Sequence, residues 1–271
     1  MGYRLGYKKG NTRKRRKAAR RNLITMIMVL LLVVTGIFLN VRKNSFRRAG
    51  IAAYENGQYQ EALDAFNRGE QAKAPFSSAI LSDMKWYSAS CYLMMGDFGQ
   101  AQTIYSTMHV KRRDKERATL CANIAAALSL YGQGEYEQAA GELTKYAGTD
   151  CAALYLYLGS CYMELGRYEE MEQAFAAYQG LGHDCDYLHG ERAAYYIGIG
   201  QYEQALAEIS QGLALEGGYT RELLWQEICC LEYQRDFNGA YTKMQTYAQT
   251  YQLTEQEEHE WKFLQTVYTG E

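Results

Sequence analysis

Acidic residues are missing from the first 48 positions of this 271-residue chain, which hold fourteen Lys or Arg. The remainder carries the other 15 basic residues and all 31 acidic ones, so the net charge of −2 describes neither part. Proline is nearly missing as well, with Pro75 the only one. No proline or glycine stands between Gly36 and Gly50, so no residue in that stretch obliges a helix to stop. The seven cysteines contain no C-x-x-C pair, and His109, His183, His189 and His259 are scattered without metal-ligand spacing. There is no phosphate-cradling glycine loop, no H-E-x-x-H and no G-x-S-x-G. The run His183-Asp-Cys-Asp186 sets an imidazole, a thiol and two acids side by side, but catalysis needs convergence in space, and the run reads as a polar loop. The chain is therefore expected not to be an enzyme, and to use no cofactor and no metal.

What the chain does have is one long apolar run. Residues 23–41, "LITMIMVLLLVVTGIFLNV", contain no charge and no proline. As a helix they extend ~28 Å at 1.5 Å per residue, close to the ~30 Å of a bilayer's hydrocarbon core. Ten basic residues precede the run and four follow it closely. The bias predicts a single span with residues 1–22 as a basic cytoplasmic tail and everything after Val41 outside, at a plasma membrane of bacterial type. A cleaved signal is disfavoured because "FLNVRKNS" offers no small-residue cleavage site. The pair Arg20-Arg21 loosely resembles a twin-arginine export signal, but the motif is incomplete. The basic tail reads as a topology determinant, and no nucleic acid partner is expected.

The rest of the chain repeats itself. "GQYQEALDAF" at residues 57–66 returns as "GQYEQALAEI" at 200–209. The shared template is a small residue, an aromatic two later, a small residue five later and a large apolar one nine later. Gly57, Tyr59, Ala62 and Phe66 fit it, as do Gly96, Phe98, Ala101 and Tyr105, and Gly134, Tyr136, Ala139 and Leu143. Gly166, Tyr168, Met171 and Phe175 follow, then Gly200, Tyr202, Ala205 and Ile209. A sixth instance has Arg235 in the glycine place, with Phe237, Ala240 and Met244. The spacings are 39, 38, 32, 34 and 35 residues. An apolar helical stretch precedes each phrase, as in "LYLYLGSCYMELGRY", where Leu158, Gly159, Cys161, Tyr162 and Leu165 share one face. Each unit thus reads as two antiparallel helices joined by a glycine turn, and such pairs must stack to bury their apolar faces. The two long spacings predict longer loops or helices around 67–80 and 108–118. "TEQEEHEWKFLQTVY" opens with Thr254 and has Glu257 three later, a capping box. It predicts a final helix over 254–271 whose Trp261, Phe263, Leu264 and Val267 cover the open end of the stack.

The period and the G-x-Y-x-x-A-x-x-x-F phrase resemble the tetratricopeptide repeat family, most closely over 154–178. The resemblance implies an all-α, right-handed solenoid of six such units over residues 42–253. It departs from the family in lacking the proline between units. By the same resemblance the first helices line a concave face at places ten, six, three and two before each turn residue. Those places include Trp86, Leu93, Met94, Tyr131, Leu156, Met163, Glu164, Ile197, Trp225 and Tyr233. The inventory is aromatic and apolar, which suits a peptide held by apolar anchors. It lacks the Lys and Asn clamp with which chaperone-tail-binding relatives hold a C-terminal carboxylate. Trp86 and Trp225 either meet a partner or pack between adjacent units. Cys91, Cys161 and Cys230 sit five before a turn residue and read as small buried apolar side chains, while one bridge among Cys121, Cys151, Cys185 and Cys229 stays open. The expected function is a membrane-anchored scaffold or adaptor for a protein or peptide. The alternatives are a receptor for a diffusible ligand or an enzyme with an unrecognised site.

Overall fold

In the computed structural model, which describes residues 10–108, 114–215 and 217–269, the regular structure is helical. Helix α1 runs Gly10–Glu55, followed by α2 (Tyr59–Gln71), α3 (Ser78–Met94), α4 (Phe98–Thr107), α5 (Lys115–Gly132), α6 (Tyr136–Thr144) and α7 (Ala152–Glu164). Then come α8 (Tyr168–Gly180), α9 (Asp186–Gly198), α10 (Tyr202–Leu213), α11 (Thr220–Tyr233), α12 (Phe237–Thr250) and α13 (Glu255–Thr269). The C-terminal part of α1 pairs with α2, and each later odd-numbered helix up to α11 pairs with the one after it. The six hairpins stack in chain order and α13 closes the row.

The turns explain the template. Gly57, Gly96, Gly134, Gly166 and Gly200 all take φ between +68° and +79°, a left-handed conformation that costs glycine little. Their N–H groups donate to the carbonyl three residues back, and the next residue donates five back, as in Gly166 to Met163 (3.0 Å) and Arg167 to Tyr162 (2.8 Å). This double bond satisfies carbonyls that the helix end would otherwise leave open. Arg235 adopts the same conformation at φ +62° and makes the same pair of bonds, to Glu232 and, through Asp236, to Leu231. The sixth hairpin therefore turns like the others despite its side chain.

Within a hairpin, the small residue five after the turn and the large one nine after it are buried in all six units. In the first and fourth units the large residue meets a first-helix glycine seven before the turn. Phe66 faces Gly50, and Phe175 faces Gly159; a methyl group added to either glycine would overlap the ring. In the other four units the same places hold Ala89 and Tyr105, Ala127 and Leu143, Ala193 and Ile209, and Ile228 and Met244, and all eight of these residues are buried. The largest core is continuous from α3 through α9.

Helix α1 continues unbroken from the apolar run into the first hairpin. Among the described residues it is the one helix long and apolar enough to cross a membrane, and its apolar window is not buried by the rest of the chain. A signal sequence passes the same test of length and composition. The long first spacing is taken up by the loop 72–77 after α2; part of the second, residues 109–113, lies outside the described residues. At the other end α13 differs from expectation. Leu264 is fully buried, but Phe263 and Val267 are exposed, because the helix leans on α12 along a narrower face. Trp261 stacks on Tyr241 at 5.1 Å and Phe263 touches Phe237 only edge-on at 6.2 Å.

Candidate partner-binding groove

The stack curves enough to bring distant first helices together. Tyr157 on α7 donates a hydrogen bond to the carbonyl of Met94 at the end of α3, 3.3 Å away. Two cavities lie along the inner face. One of about 780 Å³ is bounded by Tyr54, Trp86, Ser90, Leu93, Met94 and Tyr105, with Arg117, Cys121 and Cys151 opposite. The other, of about 810 Å³, is bounded by Tyr59, Leu156, Tyr157, Tyr178, Tyr187 and Tyr219. Tyr54, Met94 and His183 border both, so the two form neighbouring parts of one groove.

The walls are held by aromatic and hydroxyl contacts. Trp86 meets the Tyr105 ring edge-on at 5.2 Å, and Tyr105 bonds Ser90 through its hydroxyl at 3.0 Å. The Arg117 guanidinium lies 4.9 Å over Trp86 and pairs with Asp150 at 3.1 Å; Arg47 pairs with Asp83 at the other rim. A ladder of tyrosines crosses the helices. Tyr131 on α5 lies 5.2 Å from Tyr157 on α7, which lies 6.2 Å from Tyr187 on α9, itself 5.1 Å from Tyr219 before α11. The Tyr187 hydroxyl is shared between Tyr131 (3.0 Å) and Ser160 (3.1 Å).

Of the ten residues expected on the concave face, Trp86, Leu93, Met94 and Leu156 border the cavities, although Leu93 and Leu156 are almost wholly buried and act as wall. Tyr131 joins them through the ladder. Met163 packs half-buried against the main core and Glu164 is exposed at its edge. Ile197, Trp225 and Tyr233 border neither cavity. Trp225 packs on Tyr247 of α12 at 6.0 Å, and Tyr233, 61% exposed, stacks on Tyr202 at 5.3 Å. The structure therefore divides the two tryptophans, with Trp86 on the groove and Trp225 packed away from it. Cys91, Cys161 and Cys230 are buried, and all seven thiols are free. The His183–Asp186 run disperses. His183 borders the groove, while Asp184 and Glu208 bracket the buried ring of His189, and Asp186 accepts the N–H of Tyr219 at 2.5 Å.

Two acids stand out, Glu191 on α9 and Glu232 on α11, each pushed up to about 7 by burial. For Glu191, nearby Glu164 adds to the rise from burial, while the hydroxyls of Tyr187 and Ser160 partly offset it. Between the unfolded value near ~4.3 and the folded value, the native state holds more protons, so stability falls as pH rises through that window. Keeping this carboxylate ionised costs about 3 kcal/mol. Glu191→Gln is expected to stabilise the protein by about 2–3 kcal/mol at pH 8, with the gain shrinking to about 1 kcal/mol at pH 5. Urea midpoints at the two pH values check it, and an equal gain at both would show that burial does not hold the proton.

Residues 124–183, from mid-α5 through α8, match the family of the tetratricopeptide repeat. That stretch of the chain is similar to the tetratricopeptide repeat. Such repeats imply a scaffold for protein–protein interaction. Two solved structures are similar to this chain. A tetratricopeptide repeat protein from Parabacteroides merdae ATCC 43184 is 18% identical, with 82% of this chain and 84% of that chain covered and a TM-score of 0.43. A thermophilic TPR protein from Thermus thermophilus is 22% identical, with 70% of this chain and 98% of that chain covered and a TM-score of 0.45. No curated protein matches the chain.

Tyr157, Tyr178, Tyr187 and Tyr219 are not among the groove residues expected from the first-helix places. They stand at other places relative to the turns, and only the curvature of the array brings them to the second cavity. Their abundance was the available signal, since 25 tyrosines exceed what six template aromatics and their neighbours require.

Proposed function

We propose that this protein is a membrane-anchored scaffold that holds a segment of a protein partner in the groove formed by its first helices. The observation that carries the reading is the pair of adjoining cavities, rimmed by Trp86, Met94 and the tyrosine ladder. Aromatic and Met side chains on a preformed wall give a peptide apolar anchors at little ordering cost. On this reading residues 23–41 are the anchor, the basic tail is cytoplasmic, and the array stands outside a plasma membrane. The charge asymmetry across the apolar run supports that orientation.

A photo-crosslinking residue at Met94, which borders both cavities, tests the binding reading in living cells against a control at Glu137, exposed on α6. A discrete polypeptide captured at Met94 and not at Glu137 is the expected result. Equal capture at both positions would remove the groove from consideration. The cavity volumes also lie in the range of ~300–1,000 Å³ that small ligands occupy. A small-molecule adduct at Met94 with no polypeptide would favour the receptor reading instead.

A further inference from the structure

The loop between α2 and α3 doubles back along α1 and meets it inside the apolar run. Asn40, a polar residue one place before the run's end, donates its side-chain amide to the carbonyl of Pro75 at 2.8 Å and to that of Gly36 at 2.9 Å. The Pro75 ring lies over Gly36, where a Cβ atom would come within 3.3 Å of it. Gly36, Leu39 and Asn40 are the positions within 23–41 that the fold covers in part, and they continue the buried stripe of Lys43 and Gly50 down the helix. The loop contacts thus reach from about 1.5 to about 7.5 Å inward of Val41 along the axis.

At the tip stands Phe76. Its side chain is fully exposed, with a relative accessibility of 101%, and its backbone takes φ +54°. A bulky aromatic rarely adopts that conformation. The Ser77 hydroxyl, which donates to the Ala74 carbonyl at 2.9 Å, closes the turn behind it. Among the described residues nothing covers this ring, and its neighbour Pro75 lies against the apolar run of α1. Arg42 and Arg48 on α1, just beyond the apolar run, and Lys73 in the same loop as Phe76 are exposed. An aromatic at the edge of an apolar belt with basic residues just outside is the arrangement that seats protein at the headgroup–acyl boundary.

Resting on the membrane-anchor reading, we infer that Pro75-Phe76 is a second membrane contact, with Phe76 inserted at the interfacial edge of the bilayer beside α1. Helix α1 alone would let the array rotate about the helix axis and tilt. A second point of contact, fixed to the helix through Asn40 and Gly36, gives the groove one facing relative to the membrane.

The test uses the full chain in phosphatidylcholine–phosphatidylglycerol vesicles, with Phe76→Trp and Leu31→Trp as separate variants. Trp86, Trp225 and Trp261 supply the constant background. In lipid brominated high on the acyl chain, the extra emission of Phe76→Trp is expected to fall about twofold, as for an interfacial ring. Leu31→Trp, near the middle of the run, is expected to be quenched by lipid brominated near the chain end. Quenching of Leu31→Trp without Phe76→Trp would overturn the loop contact and leave the anchor standing. Quenching of neither would overturn both.

Discussion

Gly159→Leu is expected to lower the stability of this protein by about 3–4 kcal/mol, because the new side chain must occupy space filled by the Phe175 ring. Both residues are fully enclosed between α7 and α8, and even a methyl group at Gly159 would overlap ring atoms. The gain in helix propensity, about 0.8 kcal/mol, is too small to compensate. Phe175→Leu alone removes ring volume from the core and costs about 1–2 kcal/mol. The two together are expected to lose less than Gly159→Leu alone, with a coupling of about 2 kcal/mol in the double-mutant cycle, since the smaller residue opens the space that the larger one needs. Urea unfolding followed by circular dichroism measures all four corners. If the two losses simply add, the residues are not a size-matched pair.

Glu257→Ala is expected to cost about 3 kcal/mol and to release α13 before the rest unfolds. The Glu257 carboxylate is nearly buried and accepts bonds from three residues. The Thr254 N–H lies at 2.6 Å, the Tyr247 hydroxyl at 2.6 Å, and the Arg221 guanidinium at 2.8 and 3.1 Å on the two oxygens. The Glu257 N–H in turn donates to the Thr254 hydroxyl at 3.3 Å, completing the capping box. Burial alone would raise this carboxyl, but the bonds from Thr254 and Tyr247 and the charge of Arg221 outweigh it and hold it below the ordinary range. Its contribution is therefore present above the unfolded value near ~4.3 and lost as pH falls through the lower folded value. Hydrogen exchange resolved along the chain is the direct measurement. Early exchange confined to residues 255–269 in the variant is expected, and uniform loosening of the whole array would contradict a local clamp.

Local features of this fold were legible because their causes are local. A left-handed turn needs a residue without a Cβ penalty, and five of six turns display a glycine. Arg235 was recognisable only because its neighbours Phe237, Ala240 and Met244 kept the phrase. The Thr254–Glu257 box spans three residues and could be read directly, and the absence of helix breakers after Gly36 matches the unbroken α1. Contacts that depend on accumulated curvature were not legible. Nothing near Tyr157 or Tyr187 announces that they face Met94 and Tyr131, since the approach is the sum of small rotations between hairpins. For the same reason equivalent places in different units met different fates. Trp86 borders a cavity where the array curves in on itself, while Trp225, at the same place relative to its turn, packs on Tyr247 near the end. Phe263 and Val267 were misjudged because helical spacing gives the apolar stripe but not the width of the surface it meets. The return of Pro75 to Gly36 is likewise a contact across 39 positions with no periodic signal.

The matched pairs have a consequence for how such an array can change its length. Both members of each pair, Gly50 with Phe66 or Gly159 with Phe175, belong to the same hairpin, seven before and nine after its turn. A hairpin therefore carries its whole internal fit on one short stretch of coding sequence. Duplication or loss of that stretch leaves every remaining fit intact, and only the outer faces must find new neighbours. Inheritance can lengthen or shorten the row by whole hairpins, whereas a substitution inside one must wait for its counterpart sixteen positions away.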